Sequence, residues 1–188
     1  MTLEVITGPM FSGKTSELIR VVERDVIAKR KGAIFKIAFD RRFSEHQVVT
    51  HNGLRYGAYS VSDSPDGLKS VEDASVSQAL DVVGVDEVNF FPRGIVELLG
   101  LLSENRRVVA SGLNLDFRAE PFESTKELLV RADKITYLSA VCAVCGRDAT
   151  RSQRLVEGKP APRDSPLVLV GGKELYEPRC RTCYQPAV

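Results

Sequence analysis

Residues 8–15 read Gly8-Pro9-Met10-Phe11-Ser12-Gly13-Lys14-Thr15, two glycines four residues apart followed by a lysine and a hydroxyl residue. No other stretch constrains the fold as strongly. Glycines let the backbone curl until its N–H groups converge on phosphate oxygens. Lys14 can reach the β- and γ-phosphates, and the Thr15 hydroxyl can bind Mg²⁺. Such a loop needs a strand before it and a helix after it. Leu3-Glu4-Val5-Ile6-Thr7 reads as the strand and Ser16–Arg30 as the helix, with its N-terminus facing the anion. An ordinary Gly-rich turn is the alternative, and the flanking elements argue against it. The loop specifies nucleotide phosphates and leaves the phosphate acceptor open.

The rest of the first two-thirds alternates strand and helix signals. Ala33–Phe39 is a second apolar run. Asp40–Tyr56 is polar, holds both histidines and reads as a mobile loop. Ser64-Pro65-Asp66-Gly67 opens a helix to Ala79, and Asp81–Val85 is a short buried strand. Pro92 opens a helix through Leu102, Arg107–Ser111 is a strand, Glu123–Arg131 a helix and Lys134–Leu138 a strand. This alternation predicts an α/β fold, a mostly parallel sheet of the P-loop NTPase type with helices on both faces. Composition changes near Ala140, where prolines, glycines and all four cysteines begin. We expect a nucleotide-binding domain over 1–139 and a small zinc-binding domain over 140–188. No apolar run spans a bilayer. The first strand starts too early for a signal peptide, so the expected compartment is the cytoplasm.

A P-loop site needs a second Mg²⁺ anchor at the end of a neighbouring strand. Val82-Val83-Gly84-Val85-Asp86 supplies one, so Thr15 and Asp86 are the expected magnesium pair. Glu87 follows with a different side-chain direction. It can take a proton from an attacking hydroxyl or orient a water, the alternative being a solvated loop residue. Val88 and Asn89 extend the nucleotide-binding set. After the second strand, Asp40 can join the metal shell and Arg42 can brace phosphate charge; a charged surface turn is the plainer reading of both.

The cysteines form two Cys-x-x-Cys pairs, Cys142/Cys145 and Cys180/Cys183, with 34 residues between Cys145 and Cys180. Four thiolates suit tetrahedral zinc and leave it no open position, which predicts a structural role. Zinc then ties both ends of a long excursion that includes Leu167, Val168, Leu169, Val170 and Gly171, a loop able to cover a site.

These features in this order resemble the bacterial and cytosolic-type thymidine kinases over nearly the whole length. The resemblance rests on residues 8–15, Glu17-Leu18-Ile19-Arg20, Asp86-Glu87-Val88-Asn89-Phe90-Phe91, Gly112-Leu113, Asp116-Phe117-Arg118, Pro121-Phe122, Gln153-Arg154-Leu155, residues 170–172 and Tyr176-Glu177-Pro178-Arg179-Cys180. It implies a P-loop domain with a zinc-held lasso loop and ATP-dependent phosphorylation of thymidine, more weakly deoxyuridine, at the 5′-hydroxyl. It further implies feedback inhibition by dTTP and a homotetramer. Glu87 matches the family's base. Met10, Phe90, Leu113, Phe117, Phe122 and Tyr176 match positions around the nucleoside, and the backbone of Leu167–Gly171 matches the lasso that grips the pyrimidine. Asn89 stands where relatives usually carry Gln, and Asn114 where Asp is common.

Two other classes bear on the same residues. A P-loop ATPase or GTPase switch would use Glu87 to position water, and leaves the cysteines unexplained. A zinc-ribbon module on a degenerate NTPase would bind nucleic acid, but 26 basic against 25 acidic residues, net +1, lacks the basic excess expected of one. Arg147, Arg151 and Arg154 read as a solvated face or as a brace for the lasso.

Overall fold

Strand β1 (Thr2–Gly8) alternates its side chains between two cores, Leu3 and Val5 to one face and Ile6 to the other. The computed structural model describes residues 1–38, 47–49, 55–169 and 175–187. Asp40, Arg42, Val170 and Gly171, expected at the site, lie outside the described residues. After β1 come α1 (Lys14–Ile27), β2 (Gly32–Ile37), β3 (Gln47–Val49), β4 (Arg55–Gly57), β5 (Tyr59–Val61), α2 (Pro65–Ser77), β6 (Val82–Val85), α3 (Ile95–Ser103), β7 (Arg107–Leu113), α4 (Glu123–Arg131) and β8 (Lys134–Tyr137).

Six strands form one parallel sheet in the order β5-β2-β6-β7-β1-β8. Parallel strands must be covered on both faces, and the alternation shows how. Ala33, Phe35, Val83, Val85, Val108 and Ala110 join residues of α2, α3 and α4 in one core. Ile34, Val82 and Val109 join Leu18, Ile19, Val21 and Val22 of α1 in the other. Three helices therefore cover one face and α1 the other, in agreement with the expected α/β fold. Ser64 is extended before Pro65 starts α2, as the turn chemistry predicts. Pro92 sits a turn ahead of α3, its carbonyl accepting the Ile95 N–H at 2.9 Å.

At the amino ends of the strands, Arg107 pairs with Glu4 and Asp25, both at 2.6 Å. Lys134 joins Glu4 at 3.0 Å and Arg30 joins Asp25 at 2.7 Å. Glu4 and Asp25 are buried, so each buried carboxylate has the paired cations it needs. The polar stretch expected as a loop over 40–56 instead carries β3 and β4, paired antiparallel, and β5 forms the sheet edge. Each of these strands has three residues, too few to display an alternation in the sequence.

Beyond β8 the strands are short. β9 (Ala140–Val141) pairs antiparallel with β10 (Asp148–Ala149), while β11 (Arg151–Val156) pairs with β12 (Lys159–Pro160) and β13 (Tyr176–Arg179). Among the described residues no helix is long and apolar enough to cross a membrane.

Candidate active site

The loop over 8–15 joins the carboxyl end of β1 to α1. Gly8 has φ 152°, and a Cβ there would meet the Leu138 carbonyl oxygen at 2.2 Å. Gly13, at φ 86°, precedes the first residue of α1. The backbone path therefore depends on glycine, as the motif predicts. Ser12 donates to the Pro9 carbonyl at 2.9 Å and Lys14 Nζ to the same oxygen at 2.6 Å, closing the loop on itself. Gly8→Ala should cost about 1–3 kcal/mol of folding stability through overpacking. It should also weaken nucleotide binding at least about tenfold, the factor that a 1.4 kcal/mol loss gives. Thermal unfolding and titration with ATP would check both, and an unshifted melting temperature would contradict the packing argument.

Thr15 and Asp86 meet, although β7 lies between their parent strands. The Thr15 hydroxyl donates to Asp86 Oδ2 at 3.0 Å. Ser111, inside β7, donates to Asp86 Oδ1, and the Glu87 N–H donates to the same oxygen at 3.1 Å. Burial pushes the Asp86 carboxyl up, opposed by the Ser111 and Thr15 hydrogen bonds and the Lys14 charge. Burial also lowers the Lys14 ammonium to about 8, opposed by Asp86 and Glu87. A buried carboxylate beside a hydroxyl at the carboxyl ends of parallel strands is a donor set that suits Mg²⁺. Ser111 is a site residue whose one trace in the sequence is a hydroxyl directly after the apolar run Val108–Ala110.

Glu87 is exposed and adopts a left-handed conformation, φ 54° and ψ 40°. Backbone of this kind in a residue other than glycine is strained and concentrates at functional sites. It turns the chain between Asp86 and a 3-10 turn over Val88–Phe90, so the two adjacent carboxylates have different surroundings. Val88 is fully buried in the core, leaving only its backbone available to a nucleotide.

Asn89 Oδ1 accepts the Leu113 N–H at 2.9 Å, so the shorter amide still ties the Glu87 turn to the end of β7. Asn89 Nδ2, Thr125 Oγ1 and Asn114 Oδ1 are buried without protein partners among the described residues. Asn114 donates through Nδ2 to the Tyr137 hydroxyl at 2.8 Å. The loop from Leu113 to Phe122 is held by Asp116, whose Oδ1 accepts the N–H groups of Arg118 and Glu120 at 2.8 and 2.9 Å.

The expected nucleoside residues fall into two groups. Phe90 and Phe122 pack edge to face, centroids 5.9 Å apart. Phe117 and Tyr176 share a buried cluster with Ala161 and Ala187, and Met10 packs against it. Leu167, Val168 and Leu169 remain partly exposed. The residues after β8 reach the phosphate loop directly. Ser152 Oγ accepts the Met10 N–H at 3.0 Å, and Phe11 packs against both the Phe117 cluster and the cysteine cluster.

The Sγ atoms of Cys142, Cys145, Cys180 and Cys183 all lie within 4.8 Å of one another, with Cys145 and Cys180 at 3.7 Å. A disulfide would need about 2.05 Å, whereas thiolates around a tetrahedral metal at about 2.3 Å stand nearly 4 Å apart. The donor set therefore fits a four-sulfur metal centre. Arg147 Nε donates to Cys145 Sγ at 3.4 Å, and this bond lowers that thiol to about 6.

The loop, hydroxyl and carboxylate occupy the carboxyl ends of parallel strands, the position and grouping that define P-loop nucleotide-binding proteins. On geometry the chain is a member of that class. A family model described as "Thymidine kinase" matches residues 1–184, and the chain belongs to the thymidine kinase family. A protein named "Thymidine kinase" from Thermococcus kodakarensis is 59% identical over 180 residues, covering 95% of this chain and 91% of that one. One of the same name from Pyrobaculum aerophilum is 50% identical over 182 residues, covering 97% of each.

Proposed function

We propose that this chain transfers the γ-phosphoryl group of ATP to the 5′-hydroxyl of thymidine, and more weakly of deoxyuridine, yielding dTMP by salvage for DNA synthesis. The observation that carries this reading is the convergence of Thr15, Asp86 and Ser111 beside the Lys14 loop, with Glu87 next in sequence.

In this mechanism residues 8–15 cradle the phosphates and Lys14 leaves the Pro9 carbonyl for them. Thr15 and Asp86 would hold Mg²⁺, which would supply positive charge to offset that of the phosphates. Glu87 accepts the proton of the 5′-hydroxyl as that oxygen attacks phosphorus. Arg42 braces the phosphates and Asp40 supports the metal shell. Met10, Phe90, Leu113, Phe117, Phe122 and Tyr176 wall the nucleoside, with the Leu167–Gly171 backbone over it. Positioning and fixed charge supply most of the acceleration. Residues 1–139 act as the nucleotide-binding unit, and residues 140–188 as a lasso unit held by structural zinc. dTTP acts as a feedback inhibitor, and the working form is a cytoplasmic homotetramer with α1 at an interface.

A transfer assay with labelled ATP and a panel of four deoxynucleosides tests the reading. Label should move to thymidine and not to deoxycytidine; label released only as free phosphate would instead make the chain an ATPase.

Lys14 gives a pH signature. Only its charged form attracts phosphate, and its pKa near 8 makes the charge fade as pH rises through that value. ATP affinity should therefore fall between about pH 7.5 and 9.5 in the wild type. It should stay flat in Lys14→Arg, whose guanidinium keeps its charge. Parallel slopes from calorimetric titrations of the two proteins would refute this.

A further inference from the structure

Arg154 is the bulkiest of the fully buried side chains, 2% exposed, in the middle of β11. Among the described residues no carboxylate pairs with it. Its partners are neutral. Nε donates to the Tyr176 hydroxyl at 2.8 Å, and Nη2 donates to the same hydroxyl. Nη1 donates to the Pro166 carbonyl, and Nη2 to the Leu167 carbonyl at 2.7 Å. Its Cζ lies 4.0 Å from the centroid of the Phe117 ring. The Tyr176 hydroxyl extends the grip, donating to the Leu169 carbonyl at 3.2 Å.

A buried guanidinium without a counter-ion is costly, and an apolar side chain of similar volume would fill the same space without that cost. What an apolar residue cannot do is hold two backbone carbonyls, a phenol and an aromatic face at once. The planar fork of arginine does this, and its weak hydration makes it the cation best suited to burial. Three parts of the chain meet on it. Pro166 and Leu167 belong to the outgoing limb of the lasso, Tyr176 to the returning strand, and Phe117 to the loop that follows β7. The four cysteines fix the lasso at its ends, whereas Arg154 fixes it at its neck, against the wall of the expected nucleoside site.

We propose that Arg154 is a positioning residue for the nucleoside, a latch that sets the lasso's first limb against Phe117 without touching the phosphates. The proposal rests on the functional reading above. Arg154→Gln keeps a neutral donor but loses the fork. Hydrogen bonds from charged groups each contribute about 1.5–3 kcal/mol, equivalent to about 10- to 100-fold in affinity. Thymidine KM should rise by that factor, while ATP KM stays within about twofold and zinc remains bound. Arg154→Lys, with charge but no fork, should fall between the two. A purely structural role would lower the melting temperature and move both KM values together. A wild type that phosphorylates thymidine alongside an Arg154→Gln variant with unchanged thymidine KM overturns the latch alone. A wild type inactive on thymidine overturns the functional reading instead.

Should the variants fail to fold, the wild type still gives an answer through ¹⁵N spectra of its arginine side chains. The Arg154 guanidinium should exchange slowly with water and shift on adding thymidine but not ATP. Rapid exchange, or no shift with thymidine, contradicts the proposal.

Discussion

Glu87→Gln should bind ATP and thymidine with affinities close to the wild type and lose roughly 100- to 10,000-fold in kcat, the range a positioned general base contributes. The substitution keeps the shape of the side chain and removes the proton acceptor. Of the two adjacent carboxylates, Asp86 is buried and already accepts from Thr15, Ser111 and the Glu87 N–H. These bonds fix its orientation beside the Thr15 hydroxyl. Glu87 is exposed and sits on a left-handed backbone. That contrast supports the proposed division of the pair into an anchor and a base. Rapid-quench kinetics at saturating substrates isolate the effect, since lost binding would appear in KM instead. A kcat within about fivefold of the wild type would falsify the assignment of Glu87.

Cys142→Ser should have the broadest consequences of any single change. Structural zinc in small domains contributes about 10–16 kcal/mol of apparent binding free energy near neutral pH. The strands after Ala140 are short, and among the described residues the apolar cluster beside the cysteines holds Ala140, Cys142, Ala149 and Cys180, with Phe11 and Cys183 packed against it. So small a cluster cannot replace the metal. Because Phe11 leans on it and Ser152 holds the Met10 N–H, the damage should reach the phosphate loop. Both thymidine and ATP constants should worsen together, unlike the selective effect expected at Arg154. Metal content by atomic absorption, with near-ultraviolet circular dichroism, would measure it. Full zinc occupancy with unchanged KM values would count against a structural metal.

Much of this was readable before any coordinates, for a physical reason. A phosphate loop needs left-handed backbone and close approach, so it displays glycines at fixed spacing. A tetrahedral thiolate site displays cysteine pairs. Parallel strands buried on both faces display apolar runs, and the runs of β1, β2, β6 and β7 match the strands to within a residue or two. Ser111, Ser152 and the burial of Arg154 left weaker traces, since each depends on what a distant segment brings against it. A charged residue in a strand reads as an outward-facing one. Only the returning β13 and the lasso carbonyls make Arg154 an interior residue. The β3–β4 ribbon has three residues in each strand, too few to display an alternation. Asn89 was readable as a departure from the family pattern, but not its bond to Leu113, which depends on the tertiary placement of the Val88–Phe90 turn against the end of β7.

In the proposed reaction Glu87 faces the nucleoside hydroxyl beside the terminal phosphate. The most direct test is one distance in a crystal of the chain with Mg²⁺, a non-hydrolysable ATP analogue and thymidine. We expect a Glu87 carboxylate oxygen about 2.6–3.2 Å from the thymidine 5′-oxygen, with that oxygen in line with the terminal phosphate. A 5′-oxygen held by another side chain, with Glu87 beyond hydrogen-bond reach, would contradict the account.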